Sequence, residues 1–250
     1  MGDPRAGVLI AFEGVEGAGK STQLELLRAA LEGRDGPPAD GGREVVVTRE
    51  PGGTPAGERV RAVLLDPAVE LHPRAEALLF AAARAELVER VIRPARERGA
   101  VVLSDRYLDS SLAYQGGARG LGLGPVEQVN RFATAGLLPD LVVLLDLDPA
   151  HGLGRNRGGQ DRIEAQDLAF HRRVRQAFLD LAAADPERYV VIDGSAPVPE
   201  VAAQVHAAVL ALLERAGESH DGPAGRRSGP PRAEGSGEPQ GGAPVGRVGS

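Results

Sequence analysis

Residues 8–31 read VLIAFEGVEGAGKSTQLELLRAAL. Residues 8–12 form an unbroken apolar run, the pattern of a strand buried on both faces of a parallel sheet. Gly14, Val15, Glu16, Gly17, Ala18, Gly19, Lys20 and Ser21 then fit G-x-x-x-x-G-K-[ST], with Thr22 just beyond. Leu24, Leu27 and Leu31 recur at helical spacing. The motif therefore lies between a strand and a helix, the context it needs.

The residue types suit a polyphosphate. Gly14, Gly17 and Gly19 let consecutive backbone N–H groups converge without side chains in the way. The helix starting near Lys20 adds the positive end of its dipole. Lys20 can reach β- and γ-phosphates, and the Ser21 hydroxyl can ligate Mg²⁺. The motif does not choose the reaction, because GTPases, transport ATPases and small-molecule kinases share it.

The chain has 250 residues and 42% hydrophobic content, which suits one sizeable domain. A net charge of −6 supplies no basic field, so neither nucleic acid nor an anionic membrane is an expected partner. The absence of cysteine excludes disulfides and thiolate metal sites. No apolar run approaches the roughly 20 residues that span a bilayer. The N-terminus has no signal-peptide core, so a soluble cytoplasmic protein is expected.

Further strands are expected at 45–48, 100–104, 141–145 and 190–193, with helices between them. These include a long helix over 73–98, one over 163–184 and a last one over 199–214. Arg49 begins a polar glycine-bearing turn at a strand's carboxyl end, where open parallel sheets bind ligands. It is either a phosphate contact or an ordinary surface arginine. Phe80 and Arg84 lie one helical turn apart. Phe80 is most simply core, yet the pair also suits a flat aromatic ring, stacked and hydrogen-bonded. Asp105 and Arg106 follow a strand and can serve a Mg²⁺ shell and phosphoryl oxygens, or form an exposed ion pair. The stretch GLGRNRGGQDR (152–162) suits either a positively charged flap or a solubilised loop. After residue 216 large apolar residues almost vanish, so 216–250 reads as a disordered tail.

The combination FEGVEGAGKSTQ, TREPGGT, Phe80 with Arg84, DRYLDSSLAYQGG and a flap ending in DRIE resembles the bacterial thymidylate kinases. The likeness covers roughly residues 8–213, and DRYLDSSLAYQ is its most specific part. It implies an α/β, three-layer P-loop fold over residues 1–215, with a five-stranded parallel sheet, helices on both faces and a flap at about 150–165. It implies transfer of the γ-phosphoryl of ATP to dTMP with Mg²⁺, and a homodimer. Position by position, residues 14–22 would hold ATP, with Lys20 on its phosphates. Ser21 and Asp105 would serve the metal. Glu16 would contact the acceptor sugar's 3′-hydroxyl, and Arg49 and Arg106 its phosphate. Phe80 would stack on thymine and Arg84 would bond its carbonyl edge. Tyr114 would lie against the deoxyribose, and Ser111 and Gln115 against the base. One subset of the family carries a catalytic arginine in the loop, where this chain has Gly17. The other carries it in the flap, where Arg155, Arg157 and Arg162 stand, Arg157 being the first choice. A kinase for another nucleoside monophosphate is the nearest alternative. A nucleotide-dependent switch is a further one, although no N-K-x-D guanine-reading motif is present.

Overall fold

The apolar runs fold as β1 (Val8–Glu13), β2 (Val45–Arg49), β3 (Val101–Asp105), β4 (Leu141–Asp146) and β5 (Tyr189–Asp193). All pair in parallel, in the order β2-β3-β1-β4-β5. The computed structural model describes residues 7–34, 42–152 and 161–218. Every residue of β1 is buried. Since successive strand side chains point to opposite faces, both faces of the sheet are covered there. The sheet grows outward from β1 in both directions. The crossovers therefore part at its carboxyl end and leave a crevice, as expected at a topological switch point.

Helix α1 (Lys20–Leu31) opens directly from the glycine loop and packs against α9 (Val198–Glu218). Helix α2 (Pro55–Leu65) starts where the Thr54 hydroxyl accepts from Gly57 N at 2.9 Å. The long helix expected over 73–98 is one helical path with an inner change of winding. Helix α3 (Pro73–Leu87) widens to a π-turn over Val88–Ile92, then continues as α4 (Arg93–Glu97). Arg93 N–H reaches Val88 O, five residues back. Pro94, which has no N–H to give, lies just beyond this point. Helix α5 (Leu108–Ser111) likewise runs into a π-helical stretch, Leu112–Ala118, before α6 (Leu123–Thr134).

Short α7 (Pro149–Gly152) precedes α8 (Leu168–Ala184). Helix α8 starts later than the apolar pattern predicts, at Leu168 rather than Ile163. Asp161 accepts from Ile163 N and Glu164 N in a separate turn, and Asp167 caps the helix through Phe170 N at 2.7 Å. Helix α9 continues to Glu218, beyond the expected limit at 215. Val201, Val205, Val209 and Leu212 are its buried stripe, and Ala216 still packs on the core. Most of the expected flap (153–160) and of the expected tail (219–250) lies outside the described residues. Among the described residues no helix is long and apolar enough to cross a membrane.

One buried charge ties the segment after β3 to β5. Asp109 is fully buried on α5. It accepts from Arg188 Nη1 and Nη2 at 3.2 and 3.1 Å and from the Tyr189 hydroxyl at 2.5 Å. Removing one partner of such a pair leaves an uncompensated interior charge. Arg188→Ala is expected to cost about 3–5 kcal/mol of stability in urea unfolding.

Candidate active site

The glycine loop depends on backbone that only glycine adopts easily. Gly14, Gly17 and Gly19 have φ values of 139°, 73° and 94°. A Cβ on Gly17 would also lie 2.2 Å from Gly152 O, so α7 packs directly on the loop. Lys20 folds back over the loop, and its Nζ donates to Gly14 O at 3.1 Å and Val15 O at 2.9 Å. Burial, then the nearby Arg106, push its ammonium down to about 8. A cation held this way gains from an incoming anion. The Ser21 hydroxyl donates to Asp105 Oδ2 at 2.8 Å, which brings together the two proposed metal ligands from α1 and β3.

Arg106 follows β3 in a left-handed conformation, φ 72°, with its N–H bonded to Phe12 O. That turn sends its guanidinium across the loop. Nη1 reaches Gly14 O and Ser110 Oγ, both at 3.1 Å, and Nη2 reaches Glu16 Oε1 at 2.8 Å. The Tyr114 hydroxyl donates to the same Glu16 carboxylate at 2.7 and 2.8 Å. Burial opposes charge on Glu16, but Arg106, His171 and Lys20 hold it well below the usual carboxylate range. Behind it, buried Glu13 accepts from Tyr107 N at 2.8 Å and Ser110 Oγ at 2.6 Å. Burial and then Asp109 push Glu13 up to about 7.

Glu16, Lys20, Ser21 and Ser110 border one cavity of about 630 Å³. At one end lie residues 16–23 of the loop and α1, with Gly194, Ala196 and Val198 beside them. Arg49, Asp105, Arg106 and Tyr114 also line it, and so do Phe80, Ser111 and Gln115. Arg49 is more than half exposed and paired with Glu58 at 3.1 Å. Arg84 does not line the cavity. It is fully buried, and its donors go to Glu50, Ser111, Asn130 and the Tyr107 carbonyl. Its guanidinium thus stands behind the wall, where the sequence reading expects a direct contact with a base. Arg162 is also committed, to Glu76 Oε2 at 2.6 Å and Leu64 O at 2.9 Å. Arg155 and Arg157 fall outside the described residues.

Three neighbours of the site escape sequence reasoning. Arg61 on α2 lines the cavity and donates to Pro51 O at 2.9 Å. Its place two turns after the Thr54 cap was the available signal. His171, fully buried on α8, puts Nδ1 3.4 Å from Glu16 Oε2. Nothing in its spacing points to that contact. Glu76 lies one turn before Phe80 and accepts from the Gln115 amide at 2.9 Å.

The chain is similar to known proteins over most of its length. A family model described as Thymidylate kinase matches residues 12–205. The thymidylate kinase of Deinococcus radiodurans is 57% identical over 205 residues, covering 81% of this chain and 96% of the relative. That of Clavibacter michiganensis subsp. michiganensis is 52% identical over 210 residues, 83% and 96% of the two chains. That of Bifidobacterium longum subsp. infantis is 51% identical over 212 residues, 83% and 88%. With the matched region spanning the glycine loop, the β3 tip and the whole cavity wall, the chain belongs to the thymidylate kinase family.

Proposed function

We propose that the protein transfers the γ-phosphoryl of ATP to dTMP, giving ADP and dTDP, a step toward dTTP. The observation that carries this reading is the single cavity joining the phosphate loop to a wall of Phe80, Ser111 and Gln115. ATP phosphates would lie on the amides of residues 14–22 with Lys20 above them. dTMP would enter from the other end. Phe80 would stack on thymine, Ser111 and Gln115 would meet its edge, and Arg84 would brace Ser111 from behind. Glu16 would hold the sugar 3′-hydroxyl, and the Tyr114 ring would leave no room for a 2′-hydroxyl. Arg49 and Arg106 would bind the acceptor phosphate.

The acceptor is already an oxyanion, so no strong base is needed. One of its oxygens bonds to the γ-phosphorus as the bond from that phosphorus to the β,γ-bridging oxygen breaks. The electron pair leaves on ADP. Catalysis is then in-line placement plus neutralisation of charge by Lys20 and Arg106. Ser21 and Asp105 are hard oxygen donors of the kind Mg²⁺ takes, and that ion would neutralise charge on the donor phosphates. Free nucleotides as substrates fit a cytoplasmic location.

A homodimer is part of the proposal. Helix α3 packs on both α2 and α6, and these three neighbours leave Val63, Leu78 and Phe132 exposed, Phe132 by 91%. An aromatic so bare fits a contact with a second copy.

Initial rates with ATP and dTMP, dUMP, dGMP, dCMP or AMP test the function. The highest kcat/KM is expected with dTMP, whereas preference for dGMP or AMP would move the protein to another monophosphate. Arg157→Ala is expected to lower kcat about 10²-fold with a smaller change in dTMP affinity, because flap charge matters most as charge moves. Phe132→Asp is expected to halve the mass seen by light scattering while the melting temperature of the monomer stays measurable.

A further inference from the structure

Glu76, Phe80 and Arg84 follow one another at four-residue spacing and so share one face of α3. Ser111 and Gln115 face them, also four apart. Two hydrogen-bonded rungs result, with Phe80 between them. In one, Arg84 Nη1 donates to Ser111 Oγ at 3.0 Å. In the other, Gln115 Nε2 donates to Glu76 Oε1 at 2.9 Å.

The charge of Glu76 fixes the polarity of its inner partner. A guanidinium only donates, so Arg84 takes one lone pair of Ser111 and leaves its O–H and a second lone pair for a ligand. A carboxylate only accepts, so the Gln115 amide must turn its NH₂ toward Glu76 and keep Oε1 for a ligand. Among the described residues no donor is bonded to Gln115 Oε1. Glu76 is itself held as the anion. Arg119 Nε and Nη2 reach it at 3.2 Å each, and Arg162 Nη1 at 2.6 Å. Burial opposes that charge, yet the bonds from Gln115, Arg162 and Arg119 bring its carboxyl below the usual range. Glu76 does not line the cavity.

We infer that Glu76 is a positioning residue for base selection: it locks the Gln115 amide with its carbonyl toward the base, so that the wall accepts a ring N–H and rejects an unprotonated ring nitrogen. This rests on the dTMP reading above. Thymine and uracil offer a carbonyl beside N3–H, which complements a Ser111 donor beside a Gln115 acceptor. Cytosine offers an amino group, which Ser111 can still accept, beside a bare N3, which meets the Gln115 carbonyl. That N3 would be desolvated without a hydrogen bond.

The test is kcat/KM for dTMP, dUMP and dCMP in wild-type, Glu76→Gln and Gln115→Ala enzymes, with melting temperatures recorded. The neutral amide introduced by Glu76→Gln can donate as well as accept, so the Gln115 amide is free to turn over. The dTMP:dCMP ratio is expected to fall about tenfold or more in Glu76→Gln, while the dTMP:dUMP ratio stays at its wild-type value. A purely structural role would lower all three rates together and leave both ratios unchanged. Gln115→Ala disturbs no ion pair, so it serves if Glu76→Gln does not fold, and it is expected to lower the same ratio. Addition of Glu76→Gln to Gln115→Ala should bring no further loss of selectivity. An unchanged dTMP:dCMP ratio in folded Glu76→Gln, or in Gln115→Ala, overturns the inference while the dTMP reading stands. A wild-type enzyme inactive on dTMP overturns both.

Discussion

The guanidinium of Arg106 is the joint on which the site depends. A largely buried cation must be surrounded by acceptors or it is expelled. Here Glu16 and Gly14 come from the glycine loop, and Ser110 comes from the helix after β3. The Tyr114 ring lies 5.2 Å from the same cation. One side chain therefore fixes the distance between the loop suited to a triphosphate and the segment suited to a monophosphate. The left-handed backbone at Arg106 is what aims it there. That strain is tolerated because the neighbouring amides of Tyr107 and Ser110 are held by Glu13.

The same cavity gathers Lys20, Arg49, Arg61 and Arg106 in its wall, interleaved with the carboxylates of Glu16, Glu50, Asp105, Asp161 and Glu164. Lys20 is discharged more easily than a free lysine because it is buried and because Arg106 is near. A desolvated ammonium of this kind is relieved by an incoming phosphate group. Charged groups cluster near the loop, while the wall near Phe80 presents the neutral hydrogen-bonding groups of Ser111 and Gln115.

Local features of the sequence were legible. The glycine loop, the five apolar strands and the turn after β3 are encoded within a few residues of where they act. Asp167 could have revealed the start of α8, since a capping aspartate stood before Leu168. Pro94 could have hinted at the π-turn before it. Long-range pairings were not legible. Arg84 looked free for a ligand because Glu50, 34 positions earlier, gives no sign of facing it. Arg162 looked like a flap cation, but Glu76, 86 positions away, claims it. His171 met Glu16 only through the packing of α8 beside the loop. Such contacts are set by tertiary placement, and no spacing within one segment announces them.

The most direct measurement is a crystal structure with dTMP and a non-hydrolysable ATP analogue bound together. The account predicts the thymine ring against Phe80, Arg106 on the dTMP phosphate, and an oxygen of that phosphate in line with the γ-phosphorus at about 3–3.5 Å. A dTMP molecule seated elsewhere, with the Phe80 wall empty and Arg106 still bound only to protein, would contradict it.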